Sequence, residues 1–426
     1  MNNTGFGKGK ILVPNVKDMT SWSVIACDQF SSQPEYWRDV EEQVKSNPST
    51  LNMIIPDSNL WQPDLDQRVG ALYRAMRTYL RRHMLVEVED YIYVERVTHD
   101  GQVRSGIVGV VDLEEYDYHE DAGTKVRASE RTTNLVQYRR QFRENAPLEV
   151  SHIILRMDDR VDAVMSALRG HTDEMKPLYD FELMKDGGSI RGWLVTAKQS
   201  ENIDATLEKL GERQLFEDKY NMPEKETMIY AVGDGNMSLA AAKAHYEALK
   251  ATLSPEKMKN HPARYALCEL VNLNDESLKF EPINRIVFGV DTQNFVRQLE
   301  RSCKVSYEPC KDENGQECQH VDMYLQGEVK HMWIQKPSSN MVTGTIQNFI
   351  DTYVQEFSGK VDYVHGNSIV QQLSSLKDNV GFIFPAMGKE VLFETILVDD
   401  ILPRKTFSMG KAEDKRFYLE CRKIIK

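Results

Sequence analysis

Residues 228–245 read Met-Ile-Tyr-Ala-Val-Gly-Asp-Gly-Asn-Met-Ser-Leu-Ala-Ala-Ala-Lys-Ala-His, an apolar run that breaks at two glycines and restarts as an alanine-rich helix. A strand that turns tightly into a helix leaves backbone N–H groups free at the helix N-terminus, where anions bind. Gly233, Gly235, Asn236 and Ser238 are therefore candidate phosphate-binding residues, through main-chain N–H groups and the Ser238 hydroxyl. The chain contains no G-x-x-x-x-G-K-[S/T], so a Walker A loop is excluded. A dinucleotide fingerprint would need glycine where Ser238 stands, and the Asp234 carboxylate between the glycines would repel a bare pyrophosphate. A carboxylate in such a turn suits a Mg²⁺ ligand facing a phosphate, or an acceptor for a substrate hydroxyl or amine. It equally suits a residue that bonds its own turn and caps the helix.

The elements that would carry this turn alternate between helical and strand periods without an internal repeat. Val69, Leu72, Tyr73, Met76, Leu80 and Met84 recur at helical spacing, with arginines on the other faces. Residues 91–97 and 103–111, joined through His99-Asp-Gly-Gln102, read as a β-hairpin. Further strands are expected at 151–157 and 190–195, and helices at 161–168, 203–219, 238–252 and 345–357. The mixture predicts an α+β fold with two or three lobes, in which mixed sheets are flanked by helices. The weak boundaries are Glu144-Asn-Ala-Pro147, Asn221-Met-Pro223 and Lys336-Pro-Ser-Ser339. The last two suggest an N-terminal α+β lobe over 1–222, a central lobe over 223–335 with the glycine turn, and a C-terminal segment over 336–426.

Composition narrows the partners. In 426 residues, 53 basic against 65 acidic side chains leave a net charge of −12, which argues against a general nucleic-acid surface. Residues 401–426 are locally positive, with eight Lys or Arg against three Asp or Glu, and read first as a solvated basic tail. No membrane-length apolar run and no secretory leader is evident, so a soluble, cytoplasmic protein is expected. Cys310, Cys318 and His320 cluster, with Cys303 nearby, but no C-x-x-C pair occurs. Glu313-Asn-Gly-Gln-Glu317 reads as a hairpin turn between reduced cysteines, and no structural zinc is expected.

Several motifs together resemble the bacterial and archaeal family known as domain of unknown function 1015, over nearly the whole chain. They are Trp22-Ser-Val-Ile-Ala-Cys-Asp-Gln-Phe30, Gln33-Pro-Glu-Tyr-Trp37, Val126-Arg-Ala-Ser-Glu-Arg-Thr132, Arg143-Glu-Asn-Ala-Pro147, Gly233-Asp-Gly-Asn236, His261-Pro-Ala-Arg-Tyr265, Glu281-Pro-Ile-Asn-Arg285, Asp362-Tyr-Val-His-Gly366 and Leu402-Pro-Arg-Lys-Thr-Phe407. More distantly, the turn resembles that of the ParB-like and sulfiredoxin-like superfamily, which includes free-serine kinases. The resemblance implies a Mg²⁺-dependent phosphotransferase that uses ADP or ATP on serine or a similar hydroxylated metabolite. Asp28, Glu130 and Asp234 are then the candidate catalytic carboxylates, with Asp234 also the metal ligand. Arg127, Thr132, Arg285, His365, Arg404 and Lys405 join the turn residues as candidate ligand contacts. For these residues the alternative is an internal salt bridge, chiefly among Asp28, Glu130, Arg127 and Arg285.

Relatives usually read G-D-G-N-H-S where this chain has Met237, and P-I-H-R or P-T-H-R where it has Asn284. Methionine cannot carry a proton, and asparagine keeps only a hydrogen bond. A ligand-binding or regulatory paralogue without chemistry is thus the second reading, and a nucleic-acid-linked protein is the third. The expected partner is a small molecule, not a membrane, with homo-oligomerisation left open.

Overall fold

The hairpin expected around His99-Asp-Gly-Gln102 forms as Ile92–Val97 against Val103–Asp112, with Ile92 opposite Val108 and Val97 opposite Val103. In this computed structural model, which describes residues 3–31, 33–133, 135–403 and 405–426, the chain forms two compact units. Unit 1 comprises residues 1–278 and 410–426, and unit 2, residues 279–409, is inserted between its last two segments. The α+β class holds, but the units divide the chain elsewhere than the boundaries expected at 222 and 335. Strand Tyr230–Asp234 pairs with both Ile154–Met157 and Val126–Arg127, so a cut at 222 would split one sheet. Strand Glu328–Ile334 and helix Val342–Glu356 share one apolar core, so a cut at 335 would split another.

Unit 1 is built on a ten-stranded mixed sheet. Its central strands, Val103–Asp112, Tyr265–Asn272, Ile154–Met157 and Tyr230–Asp234, lie side by side in that order. The period-two alternation sends Val108, Val110 and Leu267 to one cluster, with Met76, Trp37 and Phe417. Ile107, Val111 and Cys268 go to another, with Leu239, Ile203 and Leu207. Both faces are thus covered, which buries nearly every residue of these strands, the charged Arg104, Arg156 and Glu269 included. Strand Val24–Ile25 pairs with Phe417–Tyr418, so the last segment of the chain returns beside the first.

Most expected helices form, including Leu65–Arg81, Asn236–Thr252 and Val342–Glu356. The long one expected over 203–219 is two, Ala197–Leu210 and Arg213–Tyr220. Gly211 ends the first, and Glu212 in extended conformation (ψ 132°) starts the second.

Unit 2 carries an antiparallel sheet that includes Phe280–Phe288, Gln319–Leu325, Glu328–Ile334, Lys360–His365 and Asn379–Ile383. Helices Thr292–Cys303 and Val342–Glu356 place Phe295, Leu299, Ile346 and Ile350 in one core with Val321, Met323, Met332, Ile334 and Phe382.

Candidate functional site

The glycine turn lies where strand Tyr230–Asp234 leaves the unit 1 sheet. Against strand Ile154–Met157 the register shifts, with Leu155 opposite Val232 and Ile154 opposite Asp234, so Gly233 is the extra residue of a β-bulge. The bulge lies directly over the buried Arg156: a Cβ on Gly233 would stand 2.3 Å from its Cζ. Gly235 then adopts φ +83°, which L side chains rarely take, and begins helix Asn236–Thr252 without any side-chain cap. Asn236 instead clamps the neighbouring loop: its Oδ1 accepts from the Ser129 N–H at 3.1 Å, and its Nδ2 donates to Ser129 Oγ at 3.2 Å. No side chain at the N-cap position thus takes up the first backbone N–H groups of this helix.

Asp234 is already ion-paired. Lys415 Nζ donates to its Oδ1 at 2.9 Å, and Arg156 Nη2 lies 4.0 Å from its Oδ2. Burial alone would raise the Asp234 carboxyl, but Lys415 and Arg156 outweigh it and hold the group below the ordinary carboxylate range. The expected solvated basic tail is only partly solvated: Lys405, Lys411, Lys423 and Lys426 are exposed, whereas Lys415, Arg416 and Arg422 are buried, Arg416 Nε donating to Glu269 at 2.8 Å and Nη2 to Glu420 at 2.7 Å. Arg156 remains under-satisfied, with Nε and Nη1 lacking a hydrogen-bond partner.

Beside the helix N-terminus lies a cavity of about 130 Å³. Met53, Ile54, Leu72 and Met76 supply apolar wall, and Asp57, Arg139, His152 and Ser238 supply polar wall. Arg139 joins the two features. Its Nη1 donates to Ser238 Oγ at 3.3 Å, and its Nη2 lies 2.8 and 2.9 Å from the two oxygens of Asp57. Burial raises the Asp57 carboxyl to about 6 in spite of Arg139. His152 bonds through Nδ1 to the Tyr418 hydroxyl at 2.8 Å, and burial holds its imidazole below the ordinary value, although the Asp28 carboxylate opposes this. The Cys27 thiol on the same wall is pushed up to about 12 by burial and stays protonated.

Of the sequence candidates, Gly233, Asp234, Gly235, Asn236 and Ser238 form the turn itself. Asp28 is exposed, and its charge is felt by Cys27, Asp57, Arg139 and His152. Glu130 acts electrostatically on Arg156, and Thr132 is half-buried two residues further on. Arg127 is buried, with Nε on the Thr124 carbonyl at 3.0 Å and Nη2 on that of Glu226 at 2.8 Å, the hydrogen bonding of a structural arginine.

Four candidates belong to unit 2. Arg285 is fully buried, with Nε on Gln347 Oε1 at 2.7 Å, Nη1 on the Ile283 carbonyl at 2.6 Å, and its guanidinium 4.6 Å from the Tyr363 ring centroid. Neither Arg127 nor Arg285 is thus placed as an open phosphate fork. Asn284 accepts from the Phe384 N–H at 3.2 Å. His365 is exposed at the end of its strand, and Lys405 Nζ lies 4.9 Å from the Tyr363 ring centroid. Arg404 lies outside the described residues.

The sequence reading missed Asp57, Arg139, His152, Arg156, Lys415 and Tyr418. Lys415 alone had a signal, the excess of positive charge after residue 400. The others come from separated segments that only the packing brings together.

Asp234 does not fit a resident Mg²⁺, because Lys415 already takes its carboxylate and the neighbouring side chains are cationic. Among the described residues, the group of three or more His, Cys, Asp or Glu with ligand atoms close together lies in unit 2. No described helix is long and apolar enough to cross a membrane.

The chain belongs to the family described as "Protein of unknown function (DUF1015)", which matches residues 11–353. No curated protein matches it. Solved structures similar to it include a free serine kinase in complex with AMP, at 10% identity and TM-score 0.39, covering 75% of this chain and 91% of that one. A C-terminally truncated SbnI from Staphylococcus aureus is similar at 9% identity and TM-score 0.35, covering 71% and 82%. A conserved hypothetical protein from Pyrococcus furiosus is similar at 12% identity and TM-score 0.34, covering 75% and 95%. At these scores the likeness carries no assignment of activity.

Proposed function

We propose that unit 1 is a small-molecule phosphotransferase, with a nucleotide such as ADP or ATP as donor and a small hydroxylated metabolite, serine-like in size, as acceptor. The observation that carries this reading is Arg139, whose guanidinium reaches both Ser238 at an uncapped helix N-terminus and Asp57 on the cavity wall. The donor phosphate sits on the N–H groups of Asn236, Met237 and Ser238, with Ser238 Oγ and Arg139 beside it. The acceptor hydroxyl enters the cavity and gives its proton to Asp57, a carboxyl that titrates near neutrality at about 6. The hydroxyl oxygen bonds the transferred phosphorus as the bond to the donor's leaving oxygen breaks. Lys415 and Arg156 maintain positive charge behind the turn, and Asp234 orients them. No step is assigned to Mg²⁺, which would arrive on the nucleotide's phosphates.

One observation favours binding without turnover: the Met237 side chain, in the first turn of the helix, can neither carry a proton nor donate to a phosphate. A thermal-shift titration with ADP, ATP and serine, with and without Mg²⁺, followed by mass-spectrometric detection of phosphorylated product, separates the two readings. The phosphotransferase predicts a nucleotide-dependent rise in Tm that Arg139→Ala removes. It also predicts a kcat that climbs with pH through about 6 and falls about 10²–10⁴-fold in Asp57→Asn. Nucleotide binding without product in any variant supports the binding protein. A Tm unmoved by every phosphate compound rejects both.

A further inference from the structure

We infer that unit 2 carries a divalent transition-metal site on the outer face of its sheet, formed by His320, Asp322 and His331. Strands Gln319–Leu325 and Glu328–Ile334 pair antiparallel, with Asp322 directly opposite His331 and His320 opposite Trp333. Side chains alternate across a strand. Val321, Met323, Met332 and Ile334 enter the core, so His320, Asp322 and His331 emerge together on the opposite face.

Their donor atoms converge. His331 Nδ1 lies 2.7 Å and His320 Nε2 3.2 Å from the same oxygen, Asp322 Oδ1, and all three donors lie within 4.8 Å of one another. Donors on a metal with bonds of about 2.0–2.2 Å stand roughly 2.8–3.5 Å apart when they are neighbours in the coordination shell. Two of the three separations, 2.7 and 3.2 Å, lie in or next to that range, and the third is within 4.8 Å, so side-chain adjustment can bring all three donors onto one ion. Two imidazoles and one carboxylate suit Zn²⁺, Ni²⁺, Co²⁺ or Fe²⁺ better than Mg²⁺ or Ca²⁺, which take oxygen donors. Three protein ligands on a partly exposed sheet face leave the remaining positions to water or to an incoming ligand. The site does not use the cysteine group visible in the sequence: Cys310 and Cys318 face each other, with their sulfurs 2.7 Å apart. Only His320 is common to both groups.

The test is isothermal titration of the chelator-stripped full-length protein with Zn²⁺, repeated with Co²⁺ and read by absorption. One ion per chain is expected, with a Co²⁺ spectrum that lacks thiolate charge-transfer bands. The Trp333 ring, centred 4.7 Å from that of His320, should be quenched by Ni²⁺ at the same stoichiometry. Removing even an outer-sphere partner of a ligand lowers metal affinity roughly 10–100-fold, so His331→Ala and Asp322→Ala should each lower it at least that much. Circular dichroism should be unchanged, because these side chains reach solvent, and Cys310→Ser should bind like wild type. Absence of saturable binding overturns the site. So does binding that survives both His331→Ala and Asp322→Ala, or that disappears in Cys310→Ser; His320, Asp322 and His331 are then a hydrogen-bonded surface triad.

Discussion

The two units handle charge in opposite ways. Unit 1 buries Arg104, Arg156, Glu149, Glu269, Arg416, Glu420 and Arg422 in and beside its sheet. Among the described residues of unit 2, the buried charged side chain is Arg285, and its sheet packs on helices through Phe, Ile, Leu, Met and Val. Buried charge has to be paired, so most of the unit 1 set forms ion pairs: Arg416 with Glu269 and Glu420, Arg422 and Arg143 with Glu149. The pairing is incomplete at Arg156, below the Gly233 bulge, where two guanidinium nitrogens lack partners. A preorganised cationic group of this kind favours an anion from outside, and the uncapped helix N-terminus aims at one as well. In unit 2 the proposed metal-binding residues stand on the outer face, and the charge buried among its described residues is confined to Arg285.

The strongest way to break this contrast is Arg416→Met. It leaves Glu269 and Glu420 buried without their shared cation, and should cost about 3–5 kcal/mol of unfolding free energy in a urea titration. Adding Glu269→Gln and Glu420→Gln should recover much of the loss, because the penalty lies in unpaired charge and not in lost volume. A loss below about 1 kcal/mol for the single variant, the level of an exposed pair, would show that the network is dispensable.

Acid should separate the units next. Burial alone would raise the Glu149 and Glu269 carboxyls, but Arg422 and Arg143 around the first, and Arg104, Arg416 and Arg96 around the second, hold both below the ordinary range. A carboxyl depressed by folding stabilises above its unfolded pKa, and that stabilisation is lost as pH falls through the folded value. Unit 1 should therefore lose stability below about pH 4. Asp57 runs the other way. Folding raises it to about 6, so the protonated form is favoured at low pH and its contribution declines as pH climbs toward that value. Hydrogen exchange read by mass spectrometry, corrected for intrinsic rate, should show strand Tyr265–Asn272 losing protection on acidification before strand Asn379–Ile383. Equal loss in both strands would contradict the contrast.

Legibility in the sequence follows the same division. Elements with a long period, such as the Leu65–Arg81 helix and the hairpin through His99, were readable because their residues are local. The Gly233 turn was readable for the same reason. The partner of Asp234 was not: Lys415 lies 181 positions away and returns only because unit 2 is an insertion. Asp57 and Arg139 are 82 positions apart, on segments with no motif of their own. Arg127 and Arg285 looked like phosphate forks because arginine beside acidic or apolar motifs is chemically ambiguous until its hydrogen-bond partners are seen. Burial settles each of them on carbonyl oxygens, with an amide added for Arg285.

The smallest effect tests unit 2 by volume alone. Ile350 is fully buried in the unit 2 core. Ile350→Val removes one methylene and should cost about 0.5–1.5 kcal/mol. No charged group enters this change, so the loss should be the same at about pH 5 and pH 8, because neither state's proton count is altered. The loss from Arg416→Met should shrink at the acid end, where protonation of Glu269, left without Arg416, relieves part of the unpaired charge. Measured together, the two variants compare a core limited by packing with one limited by charge. A pH-dependent cost for Ile350→Val would mean that the unit 2 core is coupled to titrating groups, and that the difference in charge does not separate the units energetically.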